Sequence, residues 1–591
     1  MRPPAKLLLL LGAAGLIAAL PALAQDRPES ILPEGFGETP APAGNPAPPA
    51  RQVPTAPAEG GGVVEATAAE VIAALEEQQQ QVVVQVELPS GSKRLAAQAG
   101  PLPPGSAGFN ADLWGGASGK YLSILLRRTS APLASRWGHI ALRNALLTGG
   151  DAPDDVHPGD WAAERAWLLL RMGEADAARM LVAAVDVADF TPKMFQVATQ
   201  VGLANADPSS LCPIREGIRR HERAVAPMVD AMCASLSGNS AEAAADIQSS
   251  RRRGRFEDID IALADKVVGA GADTARSVTI EWEPVDQLTI WRFGLATATG
   301  ILLPPRLMEG KPARMLAWQA RAPMLQPRDR LAAARIATGL GVFSSQALVD
   351  LYAQIYDQTD PDTLAETDSW QLRQAMVAEG SDARLAAIGR LLDKEGSALE
   401  EEANRALVAR AAALVQPSAD IEERAPDLIA ALLSAGNERA AARWVPVLDD
   451  MSDATRATCW AMLVLALPNL AAEAGEIDNF IDEDESDGKY RSGLLVAGLA
   501  GLGKISAQQV GQLSGQLELG LGRTNAWSEM IDGAARRRQA GTATVLAAVG
   551  MQAPNWRAMP PLHLFHLINA LRRNGLEVYA RMIAAEGLAR T

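Results

Sequence analysis

From Trp114 onward, apolar residues recur at helical spacing in runs of about 10–15 residues, separated by short breaks rich in Gly, Pro, Asp and Ser. In 346–357, Leu348, Leu351, Tyr352 and Ile355 stand at i, i+3, i+4 and i+7, which is one face of a helix, with Ser344 and Ser345 as candidate caps. In 384–394, Leu385, Ile388, Leu391 and Leu392 fall on one side of a helix behind Ser381 or Asp382 as candidate caps. Neither segment is long enough to be stable alone, so each needs a neighbour to cover its apolar stripe. Upstream the pattern differs. A short helix is expected from Thr67 into Gln81, and 82–88 (VVVQVEL) is the one β-prone run, ended by Pro89-Ser-Gly-Ser92; 100–108 reads as loop.

Four segments share one spacing: Leu169…Gly173…Ala178, Ala234…Gly238…Ala243, Leu432…Gly436…Ala441 and Leu571…Gly575…Ala580. Each has an apolar residue, Gly four positions later, and Ala five after that. Gly supplies the left-handed conformation that ends a helix, and Ala lets the next helix come close. The arrangement resembles the turn and second helix of tetratricopeptide-type repeats. The best match is 161–187, with Trp161 and Trp167 on the first helix. That resemblance implies an α-solenoid whose concave face holds a peptide or a helix. The spacing between the four is irregular. The fold expected is therefore all-α: an irregular α-solenoid of antiparallel helix hairpins, with a disordered N-terminal linker and one short β-prone segment.

Composition then sets boundaries. Arg2 and Lys6, the apolar stretch 7–20, and Ala22 and Ala24 at the −3 and −1 positions make 1–24 a secretory signal peptide. Residues 25–66, dense in Pro and Ala, form a linker that buries too little to fold. Residues 67–110 hold the short helix and the β-prone run, and 111–591 the helical-repeat body. No later stretch is long and apolar enough to span a bilayer after signal cleavage. Hydrophobic content is 48% but aromatics only 4%, a balance that favours many thin helix–helix interfaces. A net charge of −15 argues against nucleic acid as partner. The expected location is the Gram-negative periplasm.

Candidate chemistry is sparse. Cys212 and Cys233, 21 positions apart on two expected helices, are a disulfide candidate in an oxidising compartment, with two buried thiols as the alternative. Cys459 reads as core. His563 and His566 share a helical face, but no third ligand comes after them at zinc spacing. The acidic run 482–488 has a calcium-loop glycine at Gly488, yet Leu494 stands where the bidentate Glu belongs. Trp114 replaces the first glycine of a phosphate loop ending in Lys120-Tyr121. The clusters 251–255 and 536–538 read as helix ends or solvated faces. Glu485-Ser486 is similar to the catalytic Glu-Ser pair of soluble lytic transglycosylases, and Gly498-Leu499 to the Gly-Leu downstream of that pair. The chain then runs on as Ala-Gly-Leu-Gly where that family has Met-Gln, and its Tyr-Asn-Ala-Gly segment is missing. No catalytic, cofactor or metal residue is therefore nominated. The function expected is a non-catalytic scaffold or adaptor for envelope proteins; the alternatives are cell-wall or polysaccharide binding and, behind it, a divergent peptidoglycan-cleaving enzyme.

Overall fold

A computed structural model describes residues 94–591 except 255 and 273–277. The expected signal peptide and linker, the helix expected from Thr67, the 82–88 run and Arg255 all lie outside the described residues. Among those described there are 28 α-helices, several short 3-10 segments and no strand, with one isolated bridge between Leu102 and Thr148. The protein is all-α, built from helices packed on their neighbours.

The shared spacing has one structural meaning. Gly173, Gly238, Gly436 and Gly575 have φ of 90°, 86°, 72° and 79°. The amide after each glycine (Glu174, Asn239, Asn437, Leu576) donates to the carbonyl of the residue that opens the motif (Leu169, Ala234, Leu432, Leu571) at 2.8–3.0 Å. The glycine's own amide donates to the carbonyl one residue further on. This pair of bonds satisfies helix-end carbonyls that otherwise have no partner. The next helix starts at once, and Ala178, Ala243, Ala441 and Ala580 are fully buried where the two helices meet. The hairpins are Pro158–Arg171 with Ala175–Ala183, Ala226–Leu236 with Ser240–Arg253, Ala425–Ser434 with Glu438–Ala441, and Pro561–Arg573 with Glu577–Ala589. The third is curtailed. After one turn its second helix passes into the 3-10 segment Ala442–Asp450, which contains Pro446, a residue that cannot donate to an α ladder.

A fifth hairpin has the same turn without glycine. Ala526–Arg536 leads through Arg538, φ 57°, into Ala540–Gly550. Gln539 donates to the Ala534 carbonyl at 3.0 Å, and Ala543 is fully buried at the expected position.

Helix Ser345–Asp357 buries Leu348, Leu351, Tyr352 and Ile355, and Ser344 accepts from the Ala347 amide, as the periodicity predicts. The second amphipathic segment starts differently. The helix runs Ser381–Leu392 with Gly380 as its N-cap, so Ser381 and Asp382 sit in the first turn rather than capping it.

The chain also returns on itself. Helix Arg136–Leu147 packs against Pro158–Arg171 and Ala175–Ala183, which lie just after it in sequence, and against Pro327–Leu340, Ala540–Gly550 and Glu577–Ala589, which do not. Its N-terminus is held from the far end of the chain. Ser135 caps the Gly138 amide at 2.9 Å, while the buried Glu586 carboxylate accepts from Ser135 Oγ at 2.6 Å and from the amides of Arg136 and Trp137 at 2.8 and 3.1 Å. A carboxylate at a helix N-terminus meets unpaired amides and the positive end of the helix dipole. One apolar cluster runs from Ala99 to Leu588. Residues around 94–117 belong to it: Phe109, Leu113 and Trp114 are buried, and buried Arg165 donates to the carbonyls of Ala99, Leu146 and Thr148. Packing therefore does not change at residue 110.

Candidate functional site: a cleft where the array closes

Three helix ends converge on helix Arg136–Leu147. Arg136 is buried, and its guanidinium donates to Thr338 O at 3.0 Å and Ser434 O at 2.7 Å, carbonyls near the ends of two helices. Burial pulls its pKa below the usual value, against the opposing pull of Glu402 and Glu586. Arg143 donates to Gly341 O at 3.0 Å and to Glu174 at 3.1 Å; Glu174 also meets His139 Nε2 at 3.0 Å. Burial works against that carboxylate, but Arg143 and His139 hold it below the ordinary range. Each of these groups binds a turn to one central helix. Their work is positioning.

Beside this junction lies an open cleft of about 550 Å³. Its walls come from four stretches far apart in sequence: the start of helix Arg136–Leu147, the start of helix Ser345–Asp357, the end of helix Ala398–Ala412 and the turn at Gly436. Half-buried Trp137 forms part of the wall, its Nε1 donating to Leu433 O at 3.3 Å. The ring lies against Gly436, where a Cβ would come within 2.9 Å of Trp137 Cη2. Gly436 thus serves twice, supplying positive φ and leaving room for the indole. Exposed Arg410 donates to Gln346 Oε1, and Gln346 Nε2 donates to Asp350 at 2.6 Å.

The electrostatics of the cleft run against its surroundings. Residues 345–489 contain 29 Asp and Glu against 11 Lys and Arg, yet the cleft is lined by two arginines and no carboxylate. The arrangement suits reversible contact with a chain or small molecule bearing negative charge and an apolar group.

The other sequence candidates have structural roles. Cys212 and Cys233 are joined, with Cα atoms 5.5 Å apart. Cys459 is buried in helix Asp453–Ala466, where desolvation pushes its thiol up to about 12. His566 Nδ1 meets Asp532 at 3.2 Å, and His563 lies over Trp527 with ring centres 4.5 Å apart. No cluster of three metal-ligating side chains occurs among the described residues.

In the acidic run, Lys489 points its ammonium at the carbonyls of Ile481 and Asp484, both at 2.8 Å, and of Asp482 at 3.4 Å. Those oxygens are held by an internal cation. Glu485 is exposed, and Gly498 lies inside helix Tyr490–Leu502, packed on Leu465. Gly115 and Gly116 have positive φ beside Trp114, which stacks edge-on against Trp161. Arg251–Arg253 form the last turn of their helix, and Arg538 is the left-handed residue of the fifth hairpin.

Sequence reasoning missed Trp137, Gln346 and Arg410. Only Gly436 carried a signal, through the hairpin spacing. Of the 12 tryptophans, Trp137, Trp282, Trp370 and Trp527 are half-buried and the other eight are buried. Most therefore fill space between helices, and Trp137 is the one that lines this cleft.

No protein-family model, curated protein or solved structure shows a significant match to the chain.

Proposed function

We propose that this chain is a non-catalytic adaptor of the bacterial envelope, which binds partner proteins in the cleft at the closure of its helical array. The observation that carries the reading is the cleft itself. It is wide, open, assembled from four separate stretches, and presents a half-buried Trp beside a cation that has no ion pair among the described residues. Aromatic and arginine side chains in a partly desolvated recess are the usual energetic anchors of protein contacts. The signal-like N-terminus and the Cys212–Cys233 disulfide support a place in an oxidising periplasm. Trp137 beside the amides of Gln346 and Asn437 also suits a sugar ring, so cell-wall glycan is the second reading.

The test is in-cell crosslinking of the tagged mature protein, followed by mass spectrometry of what copurifies. A small reproducible set of envelope proteins, depleted when Gly436 or Gly173 is substituted, supports the adaptor reading. Retention on purified cell wall with no protein partner overturns it in favour of the glycan reading.

A further inference from the structure

We infer that the cleft recognises an acidic, extended segment of a partner protein, with a carboxylate on Arg410 and an adjacent apolar side chain against Trp137. This rests on the adaptor reading and adds the chemistry of the partner.

Arg410 is a cation in an acidic neighbourhood that has left it without a counter-ion. Of the eleven cations in the acidic stretch, Lys394 pairs with Asp368, Arg405 with Glu402, Arg424 with Asp393 and Asp427, and Arg456 with Asp453 and Glu476. Arg373, Arg384, Arg390, Arg439, Arg443 and Lys489 make no ion pair among the described residues, and of the unpaired ones only Arg410 lines the cleft. Arg410 makes no ion pair among the described residues; its one bond there goes to the neutral amide of Gln346. The segment holds 29 carboxylates, and none lines the cleft. An exposed Arg fixed by a neutral side chain keeps most of its donors for an incoming carboxylate, which it can take in bidentate fashion.

Two features beside it add to that bias. Helix Ser345–Asp357, 13 residues long, opens into the cleft. Ser344 caps its Ala347 amide, and the amides of Ser345 and Gln346 take no partner among the described residues. Trp137 and Ile140, both half-buried on the cleft wall, offer apolar surface. A ligand with negative charge alone leaves that surface uncovered, and an apolar ligand leaves Arg410 unpaired. An extended chain in which acidic and apolar side chains alternate presents both groups at the spacing of neighbouring residues.

The full mature chain, labelled with fluorotryptophan, provides the test, with the fluorine resonance of Trp137 assigned by Trp137→Phe. The probes are an acetylated hexapeptide of alternating Leu and Glu and its Leu-Gln counterpart. The expected result is a saturable shift of the Trp137 signal with the Glu peptide. Binding should be roughly tenfold weaker for the Gln peptide, and for the Glu peptide with Arg410→Gln protein, and should weaken as salt rises. Arg410 is exposed, so its substitution leaves the fold intact.

Equal shifts with both peptides, an unmoved Trp137 signal, or wild-type binding by Arg410→Gln would overturn the assignment. So would a shift produced by peptidoglycan fragments and by neither peptide. The two readings fail separately. If envelope partners crosslink equally to wild-type and Arg410→Gln protein, the adaptor reading stands and the cleft chemistry falls. If the Glu peptide binds as described and no protein crosslinks, the cleft chemistry stands and the adaptor reading falls.

Discussion

The turns at Gly436 and Gly575 have nearly the same backbone and very different surroundings. Both end a helix in the left-handed conformation, with φ of 72° and 79°, and both make the same pair of closing hydrogen bonds. Around Gly575 nothing lies within 4 Å of where a Cβ would stand; around Gly436, Trp137 does. Gly238 resembles the first case, and Gly173, where a Cβ would come within 2.8 Å of the Ala317 Cβ, resembles the second. One local motif therefore does two jobs. At the open turns it only reverses the chain. At the seated turns it also leaves a gap into which a distant helix packs, Ala313–Arg321 at Gly173 and Arg136–Leu147 at Gly436. The lesson is that a repeat signature fixes the turn but not what the turn touches.

Substitutions that add one methyl group separate the two jobs. Gly173→Ala and Gly436→Ala incur both left-handed strain and a clash, so each should lower stability by about 2–4 kcal/mol. A shifted denaturation midpoint at constant slope measures this.

A pH effect of similar size is expected inside the segment bridged by the disulfide, away from either kind of turn. The carboxyl of Glu222 is buried, and desolvation raises its pKa to about 7. A raised pKa means the folded state binds the proton more tightly. The corresponding stability is fully present below the unfolded value and is lost as pH rises through about 7. The loss should reach up to roughly 3 kcal/mol. Thermal melts of wild type between pH 5 and 8 should show the decline, and Glu222→Gln should flatten it. A wild-type profile already flat over that window would refute this assignment.

Gly238→Ala and Gly575→Ala meet only the backbone penalty, so about 1 kcal/mol is expected for each. A cost at Gly575 equal to that at Gly436 would erase the distinction between seated and open turns. The smallest effect has the opposite sign. Arg538 already occupies the left-handed position, so Arg538→Gly should raise stability by about 0.5–1 kcal/mol, read from the same denaturation curves.

The same division governs how much was legible in the sequence. The four glycine turns were readable because every position in the spacing has a local job: an acceptor carbonyl, a left-handed residue and a small contact residue. The fifth was hidden because Arg538 adopts a conformation that the pattern assigns to glycine. The buried face of Ser345–Asp357 followed from periodicity. The start of Ser381–Leu392 did not, since Gly380 has no side chain with which to announce a cap. Lys489 went unnoticed because the acidic run before it, once Leu494 ruled against a calcium loop, reads only as solvated loop, and backbone carbonyls leave no trace in composition. The cleft was out of reach for another reason. Trp137, Gln346, Arg410 and Gly436 carry no shared spacing, and only the return of the chain onto helix Arg136–Leu147 assembles them.

Amide hydrogen exchange on Gly436→Ala and Gly575→Ala, compared with wild type, tests the central claim that seated turns hold the closure together. Gly436→Ala should speed exchange in its own hairpin and also in 136–147 and 577–589, which contact each other through Glu586. Gly575→Ala should speed exchange only at the helix ends beside the turn. If Gly436→Ala leaves 136–147 protected as in wild type, the turn is a local device like the others, and the account of the closure is contradicted.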